Sequence, residues 1–171
     1  KDGLVFAGDG LDQVTWMDVR VGELVVTPRH GKPVEINALW YNALKIMEEL
    51  SKYYGEEYEV YKNISVKVKE SFEKKFWNEE TQCLYDVVDE NDDKIRPNQI
   101  WAVSLPFAVL DEEKEKKIVN TVYKHLYSTY GLRSLSFMDK DFKKQYIGKL
   151  IDRDKAYHMG TTWGFLIGGF I

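Results

Sequence analysis

The chain has 171 residues and a formal net charge of −4, from 24 Lys and Arg against 28 Asp and Glu. With 44% hydrophobic and 30% charged residues, its composition argues against intrinsic disorder. The weak negative charge offers no basic surface for a phosphate backbone, and no apolar run approaches the ~20 residues that a membrane span needs. We therefore expect neither nucleic acid nor membrane as a partner. The single cysteine, Cys83, excludes an internal disulfide framework and predicts a reducing, cytoplasmic location.

Hydrophobic residues at helical spacing recur through most of the chain and predict a mainly helical fold. In the first such segment, Pro33 suits the first turn and Gly55 suits the stop, and Leu39, Met47 and Leu50 are among the apolar positions. Short connections between the segments predict that neighbouring helices pack as antiparallel pairs. The predicted helices span residues near 34–54, 57–77, 98–109 and 112–127.

The segments between and after these helices differ from them in character. Residues 1–33 are rich in glycine and proline and predict loops, with room for one short helix. Residues 83–88 are too short for a helix and predict a strand or an extended loop. Residues 161–171 are almost wholly apolar and predict a helix without a polar face. Together with a first residue that is not methionine, this end predicts a fragment of a longer protein and a homodimer through exposed helix faces.

Polar and aromatic residues crowd three loops that lead into apolar segments, at residues 27–40, 96–99 and 153–163. Because a pyranose needs several hydrogen-bonding partners around an aromatic surface, three such loops on one rim predict a polyol-binding site. A fourth loop places Asp18 two residues after Trp16. A carboxyl group beside aromatic rings is suited to general acid catalysis, because the rings exclude water from it.

These loops resemble the C-terminal glucosidase domain of glycogen debranching enzymes, in the form found in bacteria and archaea. The resemblance covers nearly the whole chain, and its segments follow in the same order. It implies an all-α fold that is part of an (α/α)6 toroid, the six-hairpin glycosidase arrangement, with residues 1–171 as a single fragment of about the C-terminal half of the domain. The matching segments are residues 15–18, 27–41, 96–99, 131–136 and 156–163.

The resemblance also implies an activity, which is hydrolysis with inversion of the α-1,6-linked glucose at branch points of glycogen or a related α-glucan. Inverting hydrolysis uses two carboxyl groups about 6.5–9.5 Å apart, which leaves room for the attacking water. Asp18 matches the general acid of the family. Where the eukaryotic relatives carry the general base, this chain has Thr162, which cannot act as a base. Either the base comes from elsewhere, with Glu35 as the one carboxylate inside a matching motif, or the chain has none.

Further residues of the matching loops are predicted to bind the sugar on the same rim as Asp18. Three roles remain open for Glu35: general base, acceptor of a sugar hydroxyl, or ion-pair partner of Arg29 at a helix N-terminus. The expected ligand is an α-glucan, namely glycogen, a limit dextrin or a malto-oligosaccharide. No cofactor and no metal is expected, because the three histidines lack metal-ligand spacing. The predicted sugar-binding residues are Trp16, Arg29, Arg96, Gln99, His158 and Trp163.

Two other functions stay open at this stage. The chain could be a non-catalytic α-glucan-binding or helical interaction fragment, inactive because it is truncated. It could also belong to a toroidal sugar enzyme of another reaction type, such as an epimerase. Those enzymes rely on histidine pairs, and only His30 and His158 could serve here. Release of glucose from a branched dextrin by the full-length protein separates the hydrolase hypothesis from both.

Overall fold

The computed structural model describes residues 1–90 and 92–171, in which helices are joined by strands of two or three residues. The helices carry most of the core, and the strands pair at the helix ends and fix the loops there. Because short antiparallel sheets accompany the helices, the chain is a mixed structure, and the all-α prediction is met only in part. Among the described residues, no helix has the length and apolar character needed to cross a membrane.

The two longest helices form a helical hairpin. α1 covers Val34–Tyr54 and α2 covers Glu59–Phe76, and the two pack against each other. α1 begins after Pro33 and ends at Gly55, whose φ of 72° is the left-handed conformation that commonly closes a helix. The first two predicted helices are thus confirmed. The buried apolar side chains of this hairpin are Val34, Ala38, Tyr41, Leu44, Val68, Phe72 and Phe76.

The helix predicted over residues 98–109 is confirmed only as far as residue 104. This segment forms a 3₁₀ turn over Pro97–Ile100, followed by the single-turn helix α3, Trp101–Ser104. The helix stops at Leu105 because Pro106 disfavours helical backbone in the residue before it. Leu105 is accordingly extended, with φ −78° and ψ 153°.

α4 covers Glu112–Leu126 and confirms the fourth predicted helix. The side chain of Asp111 caps its start by accepting a hydrogen bond of 2.9 Å from the backbone N–H of Lys114. α4 packs against α3 and against the 3₁₀ turn at Pro97–Ile100. Its buried face consists of Ile118, Val122 and Leu126.

The helix predicted over residues 161–171 is wrong, because residues 162–163 form a strand and the helical part is limited to α6, Ile167–Phe170. A further short helix, α5, covers Leu150–Ala156. In residues 1–33 the structure has short strands and no helix. The strands are β1 Arg20–Val21, β2 Leu24–Val25, β3 Lys32–Pro33, β4 Trp77–Asn78, β5 Cys83–Leu84, β6 Val87–Val88, β7 Tyr127–Ser128, β8 Gly131–Arg133 and β9 Thr162–Trp163.

The strands pair antiparallel and bring distant loops together. β1 pairs with β2, β3 with β6, β4 with β5, and β8 lies between β7 and β9. The β3–β6 pair places Pro33, at the start of α1, opposite Val87. For residues 83–88, predicted as a strand or an extended loop, the structure has two short strands, β5 and β6. β6 pairs with β3 at the start of α1, and β5 pairs with β4 at the end of α2.

One face of α1 is apolar but uncovered. Leu39, Ile46, Met47 and Leu50 are each 39–45% exposed, although their helical spacing is typical of a buried stripe. At the end of the chain Phe165 is also exposed. The homodimer expected through such faces stays a prediction.

Candidate active site

The loop that contains Asp18 lies against a group of packed rings. We call the rings of Trp16, Tyr157, His158, Trp163 and Phe165 the aromatic cluster. Trp16 meets His158 edge to face at a centroid distance of 5.0 Å, and Trp163 stacks on His158 at 5.4 Å. The Asp18 side chain is 62% exposed, and its Oδ1 lies 3.6 Å from Nε2 of His158. The structure therefore places a carboxylate beside the cluster but leaves it open to solvent, so the expectation that the rings exclude water from Asp18 is wrong.

His158 is the most enclosed member of the cluster, with 1% of its surface exposed. Neither of its ring nitrogens has a hydrogen-bond partner among the described residues. Burial lowers the pKa of His158 to about 4, although the Asp18 carboxylate acts in the opposite direction. The imidazole beside Asp18 is therefore neutral at pH 7.

This buried histidine predicts a pH-dependent stability. An unfolded His158 titrates near 6.5 and the folded one near 4, so unfolding takes up a proton between these pH values. We expect the free energy of unfolding to fall as the pH drops from about 6.5 to about 4, by on the order of 1–3 kcal/mol.

Urea unfolding of the wild type and of His158→Phe across this pH range measures the effect. The fall in stability over this range should be smaller in His158→Phe than in the wild type, and carboxylates with lowered pKa values account for the remainder. The control His30→Gln should keep the wild-type pH dependence, because His30 is only partly buried. Equal pH dependence in the wild type and in His158→Phe would contradict the prediction.

Arg29 lies between two carboxylates. Its Nε donates to Oδ2 of Asp86 at 2.6 Å, and its two terminal nitrogens donate to the two oxygens of Glu35, Nη2 to Oε2 at 2.7 Å. All three side chains are at most 3% exposed. Burial acts to lower the pKa of Arg29, but Asp86 and Glu35 raise it above its usual value, so the guanidinium keeps its charge.

Glu35 is thus the ion-pair partner of Arg29 in the first turn of α1, one of the three roles considered for it. Both of its oxygens face the guanidinium, which leaves little of the carboxylate for a water or a sugar hydroxyl. Its predicted role as general base gains no support from these contacts and stays a prediction.

Arg96 connects Asp86, the other carboxylate partner of Arg29, to the aromatic cluster. Its Nη1 donates to the backbone carbonyls of Ser134 at 2.9 Å and His158 at 2.8 Å. Its Nε lies 3.7 Å from Oδ2 of Asp86 and has no hydrogen bond among the described residues. Burial lowers the pKa of Arg96 by more than Asp86 raises it. Arg96 therefore supports the backbone beneath the cluster.

Asn98 and Gln99, which follow Arg96 closely, have different surroundings. Asn98 donates to Oδ1 of Asp86 at 2.8 Å and accepts a 2.7 Å hydrogen bond from the indole N–H of Trp16. Gln99 instead donates to the carbonyl of Arg96 and is buried against backbone. Asn98 therefore touches the site through Trp16, whereas Gln99 supports the turn.

The structure brings most of the predicted site residues together through direct contacts. Trp16, His158 and Trp163 form the cluster beside Asp18, and the two arginines lie behind it. Gln99 contacts backbone groups, and Glu35 contacts Arg29. Their roles toward a sugar stay predictions. Sequence reasoning missed Asp86 and Asn98. One signal could have found Asp86: an acidic residue inside the apolar run 84–88 needs a buried cation as its partner.

A cavity of about 210 Å³ lies next to the two arginines. Burial raises the pKa of Asp92 in its wall, and the nearby Asp86 raises it further. The wall offers donors and acceptors of the kind that a hydroxyl-rich ligand needs. Within residues 1–90 and 92–171 no group of three or more His, Cys, Asp or Glu is placed to hold a metal ion. The polar residues of the wall are Thr27, Arg29, Asp92, Lys94, Arg96 and Asp141.

Gly160 shapes the turn between His158 and β9. Its φ is 141°, and a Cβ at this position would lie 2.5 Å from the carbonyl oxygen of Lys143. We expect Gly160→Ala to lower the free energy of unfolding by more than about 1 kcal/mol, as measured by urea denaturation. Gly168→Ala is the control, since no described atom lies within 4 Å of a Cβ there. Equal stability of Gly160→Ala and the wild type would contradict this expectation.

An exposed carboxylate beside aromatic rings, with buried arginines behind them, defines a site suited to acid-catalysed cleavage of a hydroxyl-rich substrate. This is the site of a candidate carbohydrate hydrolase. Comparison with protein families matches residues 1–171 to the family described as amylo-alpha-1,6-glucosidase. The chain belongs to this family, which comprises glycoside hydrolases of glycogen debranching, and the resemblance of its loops is confirmed. The search of curated proteins found no match.

Proposed function

We propose that this chain supplies the general acid for inverting hydrolysis of α-1,6-linked glucose at the branch points of glycogen or a related α-glucan, and that Asp18 is that acid. The observation that carries the proposal is the accessible Asp18 carboxylate against the aromatic cluster, in a chain of the amylo-α-1,6-glucosidase family. A protonated carboxyl at this position donates its proton to the glycosidic oxygen as the bond breaks.

The neighbouring groups bind the sugar in this proposal. The rings of Trp16 and Trp163, which are both partly exposed, offer apolar faces to a pyranose, whereas His158 is buried and supports these rings by packing against them. Arg29 and Arg96 hold the loops rather than the developing charge, because both guanidinium groups are buried and occupied by protein partners. The substrate is an α-glucan: glycogen, a limit dextrin or a malto-oligosaccharide.

In this proposal Glu35 holds Arg29 in place, because both carboxylate oxygens of Glu35 accept hydrogen bonds from the Arg29 guanidinium. The hydroxyl of Ser128 donates to Oγ1 of Thr162 at 3.4 Å, and Thr162 carries no carboxylate. In this proposal the base that activates the water lies outside the matching motifs or is absent from this chain.

We also propose that the chain is one part of an (α/α)6 toroid that works in the cytoplasm. Two features support the toroid: the hairpin of α1 and α2, and the uncovered apolar face of α1, which suits packing against a further helix. The single cysteine, Cys83, which is buried and unpaired, supports the cytoplasmic location.

The test uses the full-length protein with a branched limit dextrin as substrate. Proton NMR follows glucose release in real time and distinguishes the anomers before mutarotation. Inverting hydrolysis of the α-linkage gives β-glucose first. Release of α-glucose first would contradict inversion. Binding of the dextrin without glucose release would instead support the non-catalytic glucan-binding alternative.

A further inference from the structure

Asp86 occupies the centre of the buried polar groups behind the aromatic cluster, and the proposed function gives it no role. Its Oδ2 accepts from Arg29, and its Oδ1 accepts from Asn98 at 2.8 Å. Its backbone is equally occupied, because its carbonyl accepts from the N–H of Val34 at 3.0 Å. Asp86 is 2% exposed. A buried carboxylate with this many partners has one fixed orientation.

Two connections run from Asp86 to the aromatic cluster. Through Asn98, Asp86 reaches the indole N–H of Trp16, which is hydrogen-bonded at 2.7 Å. Through Arg96, whose Nε lies 3.7 Å away, it reaches the backbone carbonyl of His158.

Both connections lead to His158, the residue whose ring lies next to Asp18. The ring of Trp16 packs edge to face on His158, and Nε2 of His158 is the group 3.6 Å from the Asp18 carboxylate. The Asp18 side chain is largely exposed, and the ring of His158 is the neighbour that the structure places beside its carboxylate.

We propose that Asp86 and Asn98 are positioning residues, which orient the general acid by fixing Trp16 and the backbone at His158. This inference rests on the proposed function of Asp18. Neither residue touches the sugar in this arrangement. Loss of the Asn98 contact is expected to lower the rate of the chemical step, because a catalytic group that is misplaced by about 1 Å can cost on the order of a hundredfold in rate.

The test compares Asn98→Ala with Asn42→Ala in the full-length protein. Asn98→Ala removes the acceptor of the Trp16 indole and leaves the Arg29–Asp86 ion pair in place. Asn42 is a matched control: it is a buried amide that bonds both backbone groups of Phe107, and it lies outside the site. Asp86→Asn, which removes the charge that faces Arg29 and Arg96 and replaces one acceptor oxygen with an NH2 donor, is measured alongside.

Two readouts separate positioning from stability alone. The first is kcat and KM for glucose release from a branched limit dextrin. The second is the fluorine NMR signal of Trp16 in protein labelled with 5-fluorotryptophan, assigned through Trp16→Phe. Asn98→Ala should lower kcat about tenfold or more, change KM much less and shift the Trp16 signal. Asn42→Ala should leave kcat and the signal as in the wild type.

A double variant tests the route. If Asn98 acts through Trp16, adding Asn98→Ala to Trp16→Phe should cause little further loss of kcat. Independent, multiplicative losses would overturn the proposal, as would wild-type kcat and an unchanged Trp16 signal in Asn98→Ala. If Asp86→Asn fails to fold, Asn98→Ala and the double variant still test the positioning role. Failure of the proposed function itself is distinguishable, because it shows as glucose release by Asp18→Asn, whereas the Trp16 signal reports on positioning without any activity.

Discussion

Asp18→Asn is expected to reduce glucose release from a branched limit dextrin by about 10²–10⁴-fold, because asparagine cannot donate the proton that the leaving oxygen requires. The fold should be unaffected, since the side chain is 62% exposed and asparagine has nearly the same shape. Initial rates with the full-length protein measure the loss, and circular dichroism checks the fold.

Glu23→Gln is the matched control for this variant. Glu23 is an exposed carboxylate in the turn between β1 and β2, on the same hairpin that follows Asp18. Its removal changes the net charge by the same amount and should leave the rate of glucose release as in the wild type. A folded Asp18→Asn protein with near-normal glucose release would exclude Asp18 as the acid.

Arg29→Met is expected to lower the free energy of unfolding by about 3–5 kcal/mol, the usual cost of removing one partner from a buried ion pair. The reason is that Glu35 and Asp86 would remain, both buried and both without their guanidinium partner. Urea denaturation at pH 7 measures the change.

Arg20→Met provides the comparison, because Arg20 lies exposed on β1. Surface substitutions of this kind usually change stability by less than about 0.5 kcal/mol. A loss for Arg29→Met no greater than that for Arg20→Met would show that the two carboxylates do not depend on this arginine.

The long helices were predictable because each has apolar residues at helical spacing and clear ends. α1 has Pro33 before it and Gly55 after it, and α4 has Asp111 at its start. Residues 98–109 have the same apolar character, but Pro106 interrupts them, and a local backbone restriction outweighs hydrophobic spacing there. The strand pairs β3–β6 and β8–β9 join residues that are far apart along the chain, and spacing within one segment does not encode such pairs.

The candidate site was predictable to the extent that its residues lie in loops before apolar segments. His158 connects two of these loops, because its ring lies beside Asp18 and its backbone carbonyl accepts from Arg96. Asp86 could not be found in this way, because it lies between β5 and β6 rather than in a polar loop. The pairing of Glu35 with Arg29 was one of several options, and only the side-chain contacts distinguish them.

The most direct measurement of the central claim compares two substrates in Asp18→Asn. A branched dextrin needs a proton on its leaving oxygen, whereas α-glucosyl fluoride releases fluoride, which departs with little acid assistance. If Asp18 is the general acid, the variant should lose glucose release from the dextrin but keep most of its hydrolysis of the fluoride. Equal losses on both substrates, or retained activity on the dextrin, would contradict the assignment.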